Sequence, residues 1–155
     1  MKKRSHILER ETFIPSSIDE VFDFFSRAEN LNRITPPWLH FKIRTDTPIH
    51  MEKGTFIDYG LRLKGLPVRW RSQITGWDPP LSFEDTQIKG PYKTWIHHHR
   101  FRRENGGTVM RDSVEYVVPG GILEPLIHFF VRRDLERIFD YRECSLIKIF
   151  TAQET

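Results

Sequence analysis

The apolar positions along the chain change period three times. From His6, the stretch HILERETFIP sets Leu8, Thr12 and Ile14 against Ile7, Glu9, Glu11 and Phe13, an alternation that predicts a half-buried strand stopped by Pro15. SSIDEVFDFFSRAEN then shifts to helical spacing, with Val21, Phe22 and Phe25 on one face, Ser16 or Ser17 as cap, and Asp19 and Glu20 in the first turn. A second short helical turn, AENLNRI, ends where Thr35 precedes Pro36 and Pro37. Six strand-like runs follow, at 39–45, 55–64, 67–78, 81–88, 93–103 and 107–118, divided by Gly, Pro, Asn and Asp. LKGLPVRW and RENGGTV carry hairpin chemistry; GWDPPLSF and IKGPYKT make wider turns. The last stretch, GGILEPLIHFFVRRDLERIFDYRECSLIKIF, returns to helical spacing through Ile127, Val131, Leu135, Ile138 and Ile149. It predicts a helix of about 25 residues, roughly 40 Å long.

Short connections imply antiparallel neighbours, and a curved sheet must bury its apolar face on another element. Only the last helix is long enough. The expected fold class is therefore α+β: a seven-stranded curved antiparallel sheet wrapped around the C-terminal helix, with two short helices after the first strand. Side chains often fail to fill the space between such a sheet and its helix, and that space is where a ligand would lie.

The stretch WIHHHRFRRENGGTVMRDSVEYV holds three consecutive histidines and, beyond an Asn-Gly turn, an aspartate. With Asn105 and Gly106 at the turn centre, Trp95 opposes Tyr116, His97 opposes Val114, His99 opposes Asp112 and Phe101 opposes Met110, all on one face. The other face carries Ile96, His98, Arg100, Arg102, Arg111, Ser113 and Glu115, so the first face points inward. The histidines divide: His97 and His99 face the concave side and His98 faces solvent, which excludes a three-ligand HHH cluster. The same alternation turns Tyr59, Trp70, Ser72, Phe83, Asp85 and Gln87 inward.

The expected ligand wall thus combines Tyr59, Trp70, Phe83 and Trp95 with the polar Asp85, Gln87, His97, His99, Asp112 and Tyr116, closed by Ile127, Val131 and Leu135 of the helix. A carboxylate in such a space needs a partner, and His99 facing Asp112 supplies one. Four roles stay open for these groups. They satisfy each other within the wall; they orient a ligand; His99 with Asp112 removes a proton while Tyr116 steadies the product; or His97 and His99, with Asp85 or Asp112, hold a metal. The expectation is a ligand-orienting role without catalytic residues, metal or cofactor; His99, Asp112 and Tyr116 are the candidates if catalysis occurs.

Composition narrows the partners. The 155 residues form one expected domain, 1–155, large enough to bury ~70% of its extended-chain surface. Lys and Arg number 24 against 21 Asp and Glu, a net charge of +3 with the basic residues dispersed, which argues against nucleic-acid binding. One cysteine, Cys144, excludes an internal disulfide and a Cys-based zinc cluster, and reads as a small packing residue late on the helix. The N-terminal MKKRSHILERET has charges without an apolar core, and no run approaches a membrane span, so a cytoplasmic location is expected. Phe129 and Phe130 beside Arg132 and Arg133 are expected to pack under the sheet, with transient membrane contact during ligand exchange as the alternative.

The order of elements resembles the helix-grip fold of the SRPBCC superfamily, which includes birch-pollen-allergen-like, START lipid-transfer and polyketide cyclase/dehydrase proteins. FIPSSIDEVFDFFSRAENLNRITPPWLHFKI is similar to that family's opening strand, helix pair and second strand. DTQIKGPYKTWIHHHRF, GGTVMRDSVEYVVPGG and IFDYR resemble its bacterial ligand-binding branch. The resemblance runs from Ile7 to about Phe150. It implies a carrier or sensor for a hydrophobic or amphipathic small molecule or lipid, as a monomer or homodimer. The alternatives are a cyclase, dehydratase or aromatase-type enzyme, and a protein–protein regulator such as a cell-division regulator.

Overall fold

Six of the seven strands fall where the two-residue alternation puts them. A computed structural model of the protein describes residues 4–152; residues 1–3 and 153–155 of the expected 1–155 domain lie outside the described residues. Strand β1 (His6–Ile14) is followed by helix α1 (Ile18–Phe25), a 3-10 segment (Ala28–Ile34) and a 3-10 turn (Pro37–Leu39). Then come β2 (Lys42–Ile43), β3 (Phe56–Leu63), β4 (Leu66–Asp78), β5 (Ser82–Lys89), β6 (Thr94–Glu104) and β7 (Gly107–Val117). A short turn (Gly121–Leu123) leads into α2 (Glu124–Ala152). The strands form one seven-stranded antiparallel sheet in the order β1-β7-β6-β5-β4-β3-β2, so the first strand returns to pair with the last.

Local chemistry explains most boundaries. Ser17 caps α1 by accepting from the Glu20 amide at 3.2 Å, and α1 buries Ile18, Val21, Phe22, Phe24 and Phe25. The second expected helix is instead a 3-10 segment, and it ends where Thr35, ahead of Pro36, is extended (φ −101°, ψ 131°). The expected strand at 39–45 shrinks to Lys42–Ile43, because Pro37–Leu39 forms a turn and His40 closes it with a left-handed backbone (φ 46°). At the β6–β7 hairpin, Asn105 and Gly106 both take positive φ (48° and 74°), matching the mirror-image turn that antiparallel strands favour. The expected register follows, with Trp95 opposite Tyr116, His99 opposite Asp112 and Glu104 opposite Gly107. A side chain on Gly107 would come within 2.6 Å of the Ile14 carbonyl and the Phe13 ring, so β1 can pass close only at glycine.

The 29-residue α2 lies across the concave face and buries Leu135, Phe139, Leu146 and Phe150, spaced by four, seven and four residues. At one end Leu146 and Phe150 pack with Phe22, Phe25, Phe83, Phe101 and Met110. Toward the other end Leu135 and Phe139 pack with Leu8, Val114, Tyr116 and Val118. Two helical expectations are corrected. Phe129 and Phe130 do not pack under the sheet but are 61% and 45% exposed. Only the side of the helix bearing Ile127 and Val131 meets the sheet there, and Phe129 lies about 200° around the axis from Ile127. Cys144 is exposed and fills no core space.

Leu146 is 1% exposed and joins α2 to α1 and the sheet. Leu146→Ala is expected to lower unfolding free energy by about 2–5 kcal/mol, read from the midpoint of a denaturant titration at unchanged slope.

Candidate functional site

Alternation along three neighbouring strands brings the polar groups together. Asp85 on β5 pairs with His97 on β6, Phe83 with His99, and His99 in turn with Asp112 on β7. All these side chains point to the concave side, whereas His98 points outward and meets Glu84 at 2.7 Å. Asp112, His97 and His99 are 4%, 6% and 3% exposed.

The partnering differs from a simple His99–Asp112 pair. Asp112 Oδ1 accepts from His97 Nε2 at 2.7 Å, diagonally across the ladder, and lies 3.2 Å from His99 Nδ1. His99 Nε2 donates to Asp85 Oδ2 at 2.8 Å, so His99 stands between two carboxylates. From α2, Arg142 reaches in: its Nη2 is 3.5 Å from Asp112 Oδ1 and its guanidinium lies over the rings of Phe25 and Phe139. The His99 ring stacks on Phe83 at 3.9 Å between centroids and lies against His97 at 3.7 Å.

These contacts assign the charges. Burial alone would raise the Asp112 carboxyl, but the Arg142 charge and the hydrogen bonds from His97 and His99 outweigh it and hold the group well below the carboxylate range. Burial raises Asp85 too, and its bond from His99 with the neighbouring positive charges lowers it overall. Burial and repulsion from His99 push His97 down to about 4, against the pull of Asp112. Burial also pushes His99 down, yet the bonds to Asp112 and Asp85 prevail and raise it above 6.5. Asp85 and Asp112 are therefore anionic, His99 and Arg142 cationic and His97 neutral near pH 6.5, which leaves the cluster with no net charge. With His97 Nε2–H given to Asp112, His97 Nδ1 keeps its lone pair.

Asp85, His97, His99 and Arg142 line one part of a cavity of about 190 Å³, far larger than the ~10–15 Å³ a water needs. Tyr59, Trp70, Phe83, Asp85, Trp95, His97, His99 and Leu135 reach its wall, as the strand pattern predicts. Five expected wall residues do not line it. Gln87 clamps the β5–β6 turn, donating to the Tyr92 carbonyl at 2.7 Å and accepting from the Tyr92 amide at 3.2 Å. Asp112 sits behind the two histidines. Tyr116 is fully buried and shares a hydrogen bond with His128 at 3.1 Å, which removes it from the role of steadying a product. Ile127 and Val131 pack on the Tyr116 cluster instead of the cavity.

Other wall residues were not expected. Ile138, Phe139 and Arg142 project from α2, Phe25 from α1, and Leu39 and Met51 from the connections around β2. Leu135, Ile138, Phe139 and Arg142 are spaced i, i+3, i+4, i+7, so a basic residue on an otherwise apolar helix face was the signal that could have found Arg142. The Arg142 Nε is buried without a hydrogen-bond partner, the one such side-chain atom among the described residues.

The sequence matches the polyketide cyclase / dehydrase and lipid transport family over residues 14–140. The chain belongs to that family. Its place in the SRPBCC superfamily and its helix-grip fold agree with solved structures. The fold is similar to the Zhui aromatase/cyclase from a Streptomyces species, with a TM-score of 0.78 and 13% identity over 98% of this chain and 97% of that one. It is also similar to TTHA0849 from Thermus thermophilus, at 0.73 and 17% over 97% and 100%. Norcoclaurine synthase from Thalictrum flavum aligns at 0.70 and 14% over 100% and 99%. At these identities the likeness shows the fold alone. No curated protein matches the sequence. No helix among the described residues is long and apolar enough to cross a membrane.

The two histidines act in opposite directions on stability. His97, depressed when folded, contributes stability that is complete above pH 6.5 and is lost as pH falls toward about 4. His99, raised when folded, contributes stability that is complete below 6.5 and is lost as pH rises through its folded value. The cluster's contribution is therefore expected to peak near pH 6.5. Thermal melts between pH 4 and 8 check this: His97→Gln flattens the acid limb and His99→Gln the alkaline limb.

Proposed function

We propose that the protein binds a hydrophobic or amphipathic small molecule, of acyl or aromatic type, between sheet and α2, as a carrier or sensor. The observation that supports this best is the distribution of groups around the cavity. Aromatic and aliphatic side chains make up most of the wall, whereas Asp85, His97, His99 and Arg142 gather where β5 and β6 face one turn of α2. A molecule with an apolar body and one oxygen-bearing end fits that arrangement. Its body lies against Tyr59, Trp70, Trp95 and Phe139, and its oxygen accepts from the Arg142 guanidinium on the same wall. The charged groups share one part of the wall, so the ligand binds with one orientation.

One observation favours an enzymatic reading as the runner-up. His97 is neutral, lines the cavity and holds an uncommitted Nδ1, 4.0 Å from the nearest Asp85 oxygen, which suits a general base in cyclisation or dehydration. In that reading the base is His97 and not the His99–Asp112 pair.

Binding of fatty acids, flavonoids and polyketide-like aromatics, followed by the fluorescence of Trp70 and Trp95 and by native mass spectrometry, tests the proposal. Ile138→Trp is expected to fill the cavity and weaken binding by about tenfold or more, equivalent to ~1.4 kcal/mol, while the protein keeps its cooperative melt. Arg142→Met is expected to weaken acids more than their neutral esters. No saturable binding across the panel, or equal affinities in wild type and Ile138→Trp, overturns it. Turnover of a bound aromatic that disappears in His97→Gln would move the assignment to the enzymatic reading.

A further inference from the structure

The cavity wall contains a second arrangement that ligand binding does not require. Asp112 takes the outer nitrogen of both histidines: Nε2 of His97 at 2.7 Å and Nδ1 of His99 at 3.2 Å. The inner nitrogens, His97 Nδ1 and His99 Nε2, are thereby left facing the same oxygen, Asp85 Oδ2, at 4.0 and 2.8 Å. Asp85, His97 and His99 each offer one donor atom, and the three donors lie within 4.8 Å of one another. One buried carboxylate that fixes two imidazoles, leaving the other nitrogen of each near a third donor, is the outer support that metal-bound histidines use.

We propose that Asp85, His97 and His99 bind one divalent transition-metal ion, Zn²⁺ or a close chemical relative, on the cavity wall. Two imidazoles and a carboxylate suit Zn²⁺, Co²⁺ or Fe²⁺, whereas Mg²⁺ and Ca²⁺ prefer all-oxygen sites. Donors on one tetrahedral Zn²⁺ at about 2.0–2.2 Å lie roughly 3.3–3.6 Å apart. His99 Nε2 and Asp85 Oδ2, now at 2.8 Å, open by about half an ångström, and His97 Nδ1, now 4.0 Å from Asp85 Oδ2, closes by about as much. The ion takes the place of the proton that now lies between His99 and Asp85. Arg142 opposes it electrostatically, but that guanidinium stands on the Asp112 side of the imidazoles, 3.5 Å from Asp112 Oδ1 and from His99 Nδ1, and not among the inner donors. Three protein ligands leave a coordination position free.

Untagged protein, stripped with a chelator and exchanged into chelator-free buffer, is titrated with ZnCl₂ by calorimetry and with CoCl₂ by visible absorption. One equivalent of each metal is expected, the Co²⁺ form showing the absorption of a low-coordinate site. Asp85→Asn and His97→Gln should each weaken uptake by about 100-fold, Asp112→Asn by about 10–100-fold, and the outward His98→Ala should leave it unchanged. Absence of saturable uptake by the wild type, or uptake that persists in both Asp85→Asn and His97→Gln, overturns the site. Should those variants fail to fold, Co²⁺ broadening of wild-type NMR signals decides. Loss of the Phe83 and Phe139 ring signals supports the site, and broadening centred on the exposed His50 and Glu52 refutes it. Small-molecule binding measured in the presence of chelator is a separate readout, so failure here leaves the binding proposal standing.

Discussion

Asp112 is a carboxylate with almost no access to water, and such a group persists as an anion only where positive charge and hydrogen-bond donors surround it. The protein supplies them from two elements. β6 contributes His97 and His99, and α2 contributes Arg142. Asp85 on β5 then neutralises the charge that His99 acquires. Four elements are thereby tied to one another at the floor of the cavity, and their relative placement is fixed by charge as well as by packing. Removing either partner from such a cluster leaves a buried charge uncompensated, a loss of about 3–5 kcal/mol in comparable cases.

The strand face of this arrangement was legible in the sequence because a β-strand has a period of two. Once Asn105-Gly106 is taken as the turn, the register of β6 against β7 follows, and with it the inward set of His97, His99 and Asp112 and the outward His98. Alternation alone says which face a residue occupies, not what its side chain reaches. Gln87 and Tyr116 both face inward, but Gln87 lies near the end of β5, where it closes a turn onto Tyr92. Tyr116 lies near the end of β7, where His128 of the helix captures its hydroxyl. Directly opposed residues are also not obliged to be each other's main partner. His97 reaches Asp112 on the diagonal because diagonal neighbours stay within reach of long side chains.

What came from α2 was harder to read. A helical stripe predicts which side of a helix is buried, but not where along its length the sheet stops covering it. Ile127 and Val131 continue the periodic stripe of Leu135, yet they belong to the packing around Tyr116, while Phe129 on the far side stays exposed and Phe130 at the edge of the stripe is covered only in part, with Lys64 over its ring. Arg142 breaks the hydrophobic pattern and so looks like a solvent-facing residue. Its place on the apolar face is the one local sign of burial; the carboxylate that makes burial possible lies thirty residues earlier on another element.

A cavity of this size beside a self-neutralising cluster is costly to keep. Side chains that line a cavity have fewer protein contacts than a filled core would give them, and the cluster itself has no stability advantage over apolar residues of equal volume. Aromatic side chains such as Trp70, Trp95 and Tyr59 are large enough that modest shifts in the strands that carry them would close the gap. They are instead held apart by their own polar ties and by stacking, Trp70 Nε1 on Ser72 Oγ at 3.0 Å and the Tyr59 ring on Trp70 at 5.8 Å. Stability alone therefore gives no reason for the cavity or for charged groups on its wall. Both features gain a physical purpose in the proposed binding role, where an occupant supplies the missing contacts to the wall and an acceptor to the Arg142 guanidinium that lines it.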